Sequence, residues 1–133
     1  MARKCEHSLT NQVLRAAVDV HRALGPGLLE SVYERALEHE LVLNGISVER
    51  QVGIPAFYWG LELGIGFRAD LLVDRCLILE IKCVSKIDNA HVKQLLTYLK
   101  LADIETGLLL NFDRPTLRQG IRRVSLFADT VTQ

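Results

Sequence analysis

Three polar residues interrupt apolar stretches in a pattern that chemistry can use: Asp70 in "FRADLLV", and Glu80 and Lys82 in "LILEIKCV". Strand side chains alternate faces with a period of two, so Glu80 and Lys82 share a face with Ile78 and Val84. Leu79, Ile81 and Cys83 take the other face. Whether Asp70 joins the pair depends on the connecting hairpin. A two-residue loop at Asp74-Arg75 would set Asp70 against Leu79, on the wrong face. A three-residue loop of Asp74, Arg75 and Cys76 pairs Val73 with Leu77 and sets Asp70 across from Glu80, and such loops are common. Cross-strand neighbours approach to ~5 Å. Two carboxylates that close repel each other unless positive charge lies between them. Lys82 supplies part of that charge and a divalent cation would supply more. Hard cations such as Mg²⁺ take oxygen ligands, commonly one or two carboxylates with substrate phosphate and water. They acidify bound water and stabilise charge on a phosphoryl group, and a neighbouring lysine can orient the water or neutralise developing charge. The same three residues also suit a surface ion pair that binds nothing.

Residues on either side add to the pattern. Gln94, His91 and Tyr98 fall at helical spacing on one face of the segment that follows. Glu30 opens an earlier helix, where the helix dipole alone favours a carboxylate, and Tyr33 lies one turn on, where core packing is its ordinary use. Arg68, Lys86 and Lys93 are lone cations near these segments, of the kind that could meet phosphates or simply be solvated.

The elements that must position these groups follow from periodicity. Residues 8 to 24 repeat apolar side chains at a helical interval, "GPG" at 25 to 27 breaks the chain, and a second helix is expected over 28 to 43 with "NG" as its stop. Strands are expected over 46 to 59 (one or two), 61 to 73 and 76 to 84, with Gly64 and Gly66 marking a bulge or a close backbone approach. A helix over 88 to 102, capped by Asp88 or Asn89, precedes "TGLLLNF" (106 to 112), an unbroken apolar run that suits a strand buried on both faces. The crossover makes that strand the parallel neighbour of the "ILEIK" strand. A more exposed strand is expected over 121 to 127. The order α-α-β-β-β-α-β-β implies an α/β fold, a sheet with helices packed on it.

The 133 residues suit one domain, 1 to 133. Sixteen basic and sixteen acidic residues cancel, so nucleic-acid binding would have to use a local patch rather than a global field. No apolar run approaches the ~18 residues of a membrane span, and no apolar segment follows "MARKCEHS" as a secretory signal would require. Three cysteines without a CxxC pair are expected to be free thiols in a reducing cytoplasm. Four scattered histidines give no zinc-site spacing.

"GLLESVY" (27 to 33) resembles the GxxExxY signature of a family of small bacterial proteins, with Gly27, Glu30 and Tyr33 in its positions. "RADLLV", "LEIKCV", "QLLTYLKL" and "GLLLNF" are similar to further blocks of that family. The family lies within the PD-(D/E)xK nuclease-like superfamily, whose restriction-endonuclease-like core is α-β-β-β-α-β. The resemblance therefore implies a mixed sheet with flanking helices, preceded by an extra N-terminal helix. It implies Asp70 as the motif aspartate, Glu80 and Lys82 as the ExK pair, and Glu30 as a helix glutamate that reaches the metal. Gln94 would support the site. The expected ligands of Mg²⁺ or Mn²⁺ are Asp70, Glu80, the Ile81 carbonyl and Glu30, with Lys82 activating water. Tyr98, Arg68 and Tyr33 would wall the site. Ala69 stands where the superfamily's name has proline. The implied activity is metal-dependent phosphodiester hydrolysis, in DNA before RNA, with a homodimer as the arrangement that cuts both strands of a duplex. The alternative is a nuclease-like module without turnover that binds nucleic acid or a protein partner.

Overall fold

In a computed structural model the chain is described from residue 2 to residue 127. The expected domain, 1 to 133, therefore extends outside the described residues at both ends. The element order is α1 (His7–Leu24), α2 (Glu30–Leu43), β1 (Val48–Tyr58), β2 (Leu61–Val73), β3 (Leu77–Lys82), α3 (Asn89–Ala102), β4 (Thr106–Asn111), a short 3₁₀ turn (Leu117–Gly120) and β5 (Ile121–Ser125). The five strands form one sheet in the order β1-β2-β3-β4-β5. Only the β3–β4 pair is parallel, so this is a mixed α/β sheet. No helix among the described residues is long and apolar enough to cross a membrane.

The sheet separates two cores. On one side α1 and α2 bury Val13, Ala17, Leu37 and Leu41 against Leu71, Leu79, Ile81 and Leu108. On the other, α3 buries Val92, Leu95 and Leu99 against Leu72, Ile78 and Leu109. β4 is buried at every position, as its continuous apolar run requires in a strand covered on both faces. α3 is held at its start by a capping box in which the Asp88 carboxylate accepts from the Ala90 and His91 N–H groups and His91 Nδ1 accepts from the Asp88 N–H.

The boundaries shift where side chains compete for backbone groups. α2 begins at Glu30 rather than 28, because the Tyr33 hydroxyl accepts from the Leu28 N–H and donates to the Gly25 carbonyl. β3 ends at Lys82, because the Cys83 N–H is taken by Glu30 and the Val84 N–H by Asn111. β1 is one bent strand, and its pairing with β2 shifts twice, between Ile54 and Phe57. Gly66 is the extra β2 residue at the first shift, and its missing side chain leaves room for Ala56 and Leu101.

One expectation is overturned. Cys5 and Cys76 are joined in a disulfide with Cα atoms 5.2 Å apart, leaving Cys83 as the free thiol. The pairing spans 71 residues. It depends on the N-terminal segment lying along the sheet end, where Arg3 bridges to Ile104. Cysteine spacing alone does not show that approach.

Candidate active site

The β2–β3 turn decides the site. Val73 pairs with Leu77, Leu72 with Ile78 and Leu71 with Leu79. The loop is thus Asp74, Arg75 and Cys76, with Asp74 at φ 49° and Arg75 at φ 53°. One step beyond the Leu71–Leu79 pair the carboxylates take over. The Asp70 N–H donates to Glu80 Oε2 at 3.0 Å, and the Ile81 N–H donates to Asp70 Oδ2 at 2.8 Å. Each acid is therefore oriented by the backbone of the other's strand.

This contact brings the two carboxyls together in a poorly solvated place, and both pay for it electrostatically. Burial, then the neighbouring Asp70 charge, pushes Glu80 up to about 8, against the Asp70 N–H and Lys82, which pull it down. Burial raises Asp70 to about 6, opposed by the Ile81 N–H and Lys82, with Glu34 and Glu30 adding to the rise. Two interacting acids of this kind lose their protons as a unit. Lys82 stands at the end of β3, half-buried, and acts electrostatically on both.

Helix α2 contributes from the opposite flank. Glu30 is exposed and its Oε2 accepts from the Cys83 N–H at 3.0 Å, one residue past Lys82. One turn further, Glu34 is buried, 5% exposed. Its Oε2 pairs with Arg50 at 2.9 Å and its Oε1 accepts from Gln51 Nε2 at 2.9 Å. The same Gln51 amide makes a long 3.4 Å contact to Asp70 Oδ1. Gln51 holds φ 54°, a backbone region uncommon for side chains of its kind. Glu34, Arg50 and Gln51 were not among the expected site residues. Glu34 was findable, because it lies one helical turn from Glu30 on the same face. Gln51 carries no signal in the strand pattern, since its role depends on an irregular backbone.

On the α3 side Tyr98 stacks on Phe67 with ring centroids 3.8 Å apart. Burial and the charges of Glu80 and Asp70 raise its hydroxyl pKa, which places it beside the pair. Gln94, one turn earlier, is exposed, and no hydrogen bond joins it to the carboxyls among the described residues. His91 is used as the α3 cap. Arg68 is exposed on β2 with its guanidinium near Gly53, and it is not among the charges acting on either carboxyl. Tyr33 does not line the pair. It is fully buried, stacked on Phe112 at 4.5 Å, and its hydroxyl fastens the loop ahead of Glu30. Burial, then the Glu30 and Asp113 charges, pushes the Cys83 thiol up to about 11, which favours its protonated form.

Among the described residues no three His, Cys, Asp or Glu side chains are arranged to hold an ion by themselves. The Asp70–Glu80 pair fits a sparser mode, in which a hard cation takes one or two carboxylates and completes its shell from substrate and water. Both carboxyls are driven toward the protonated form. A divalent cation would reverse exactly that electrostatic deficit, and the donor set is all oxygen, as Mg²⁺ or Mn²⁺ prefers.

The sequence model of the PD-(D/E)XK nuclease superfamily matches residues 7–124. Comparisons with curated proteins and with solved structures give no match.

Proposed function

The chain belongs to the PD-(D/E)XK nuclease superfamily, and from that premise we propose that it is a divalent-metal-dependent nuclease acting at Asp70, Glu80 and Lys82. The observation that carries this reading is the reciprocal backbone clasp of Asp70 and Glu80 beside Lys82. In it Asp70 and Glu80 would hold Mg²⁺ or Mn²⁺, helped by the Ile81 carbonyl and Glu30. When bound, such an ion would supply Lewis acidity toward the scissile phosphodiester. Lys82 positions the attacking water and offsets charge growing on the phosphate. Glu34 and Gln51 keep Asp70 in place, and Tyr98 walls the site on the α3 side. Gln94, on the same helix face, supports Lys82 or the substrate once nucleic acid is bound.

We infer from the "GLLESVY" segment that the chain falls in the GxxExxY family of small bacterial proteins. We infer DNA before RNA as substrate, a homodimer for cutting both strands, and a cytoplasmic protein. A second reading, a partner-binding module without turnover, draws on the exposed Tyr58, Trp59, Leu61, Leu63 and Ile65 of the β1–β2 hairpin. A panel of DNA and RNA substrates, assayed with Mg²⁺, Mn²⁺ or chelator, separates the two. The nuclease reading expects metal-dependent cleavage that Asp70→Asn abolishes. Partner capture without cleavage, unaffected by Asp70→Asn, would establish the second reading instead.

A further inference from the structure

The chain has no net charge, so a nucleic acid must be drawn by a local concentration of cations. One exists beyond the carboxylates. A cleft of about 310 Å³ is lined by Ser85, Lys86, Asn111, Arg114, Gln119 and Arg122, among others. The lining holds three cations and no acid. Among the described residues none of the three is in a salt bridge. The acid nearest in sequence, Asp113, acts on Cys83 and does not line the cleft. Like charges gathered without a counter-charge repel each other, a cost an anionic ligand removes.

The cleft is built rather than incidental. Asn111 clasps the second residue past β3, its Oδ1 accepting from the Val84 N–H and its Nδ2 donating to the Val84 carbonyl, at 3.1 and 2.8 Å. Arg114 Nη1 donates to the Ser85 carbonyl at 3.3 Å, which turns its guanidinium into the opening. Gly120 closes on the Asn111 carbonyl so tightly that no side chain fits. Sheet register then fixes the relation to the carboxylates. Glu80 pairs with Leu109, and Leu109 pairs with Arg122. Ladder partners share a face, and Leu109 faces α3. Glu80 and Arg122 therefore lie in one row on the same face, two strands apart, roughly 10 Å at ~4.8 Å per strand. That is within reach of neighbouring phosphates on one nucleic-acid strand.

We propose that the Lys86–Arg114–Arg122 cleft is a binding site for the phosphodiester backbone of a nucleic acid, holding phosphates that neighbour, on the same strand, the one at Asp70 and Glu80. It rests on the nuclease reading for its substrate but not for its test. Arg114 and Arg122 offer planar donor forks suited to phosphate oxygens, and Lys86 a point charge. Contacts of this kind position the strand without reading its sequence.

The test is binding, measured by fluorescence anisotropy in chelator so that turnover plays no part, on duplex and single-stranded DNA and on RNA, across a salt series. Wild type is compared with the triple variant Lys86→Gln/Arg114→Gln/Arg122→Gln, and with a control, Arg15→Gln/Arg35→Gln, that removes charge elsewhere. Because Arg114 also holds Ser85, the double variant Lys86→Gln/Arg122→Gln is measured beside the triple. The cleft variants are expected to lose tenfold or more in affinity at low salt. The slope of log affinity against log salt should flatten by about two to three for the triple and about two for the double on duplex DNA. The control slope should stay at the wild-type value. Equal slopes for wild type and the double variant overturn the proposal, as does a control that flattens equally, which would mean a global charge effect. If wild type cleaves with Mg²⁺ and the double variant cleaves with the same KM and salt dependence, the cleft fails while the nuclease reading stands. If the binding differences appear but nothing is cleaved, the cleft stands and the nuclease reading fails.

Discussion

Replacing Glu80 by glutamine probes the carboxylate pair without changing its shape. The amide oxygen can still accept the Asp70 N–H bond that Glu80 Oε2 accepts at 3.0 Å, while the charge is gone. Glu80 is 6% exposed, and its folded-state pKa is raised from 4.5 to about 8, first by burial and then by Asp70. The folded state therefore holds a proton that the unfolded state has released over that range. The sign follows from linkage: stability is full below the unfolded value and falls as pH rises through the folded one. At ~1.4 kcal/mol per tenfold change in proton affinity, the loss approaches 5 kcal/mol as a ceiling. Water entry and the shared titration with Asp70 bring the expectation to about 2–3 kcal/mol. Urea melts in chelator at pH 4.5 and pH 8.5 measure it. Glu80→Gln should match wild type at the lower pH and exceed it by about 2–3 kcal/mol at the higher. Millimolar Mg²⁺ at pH 8.5 should raise wild type and leave the variant unmoved. A stability difference equal at both pH values would show that Glu80 does not carry a buried proton, and the electrostatic reading of the pair would fall.

Three further outcomes follow from the packing. Cys5→Ser opens the 71-residue disulfide link, so the oxidised protein should lose up to ~4 kcal/mol in denaturant melts while the reduced protein is unchanged. Tyr33→Phe removes the hydroxyl that bridges Gly25 and Leu28, costing about 1–3 kcal/mol by thermal or urea melt and fraying the turn ahead of Glu30, as amide exchange would report. Gln51→Gly relieves the φ 54° backbone but deletes the contacts to Glu34 and Asp70. Stability should then move by less than about 1 kcal/mol while Mn²⁺ affinity, followed by calorimetry, weakens.

Much of the architecture was legible because its elements obey simple periods. The apolar run of β4, the helical spacing of α3 and the crossover between β3 and β4 each admit few arrangements. The Asp70–Glu80 register was legible up to one choice, the loop length, which the pairing of Val73 with Leu77 settles at three residues. Residues that act through irregular backbone or through distant partners were not legible. Gln51 reaches Asp70 from a strand distortion, and Cys5 meets Cys76 across most of the chain. Arg114 and Arg122 carry no signal in the sequence pattern, and only the sheet places Arg122 in the row of Glu80. Tyr33 shows the reverse case, a motif residue whose packing serves the loop before Glu30 rather than the carboxylates themselves.

The measurement that bears most directly on the central claim is single-turnover cleavage of a labelled nucleic acid as a function of Mg²⁺ or Mn²⁺, for wild type and for Lys82→Ala. Lys82 is the residue proposed to position water, and among the described residues its side chain is in no salt bridge, so its loss should leave the fold intact. The account predicts cleavage by wild type that saturates with metal, and a fall of on the order of a hundredfold or more in Lys82→Ala. Equal rates for the two proteins, or no cleavage by wild type at millimolar metal, would contradict it.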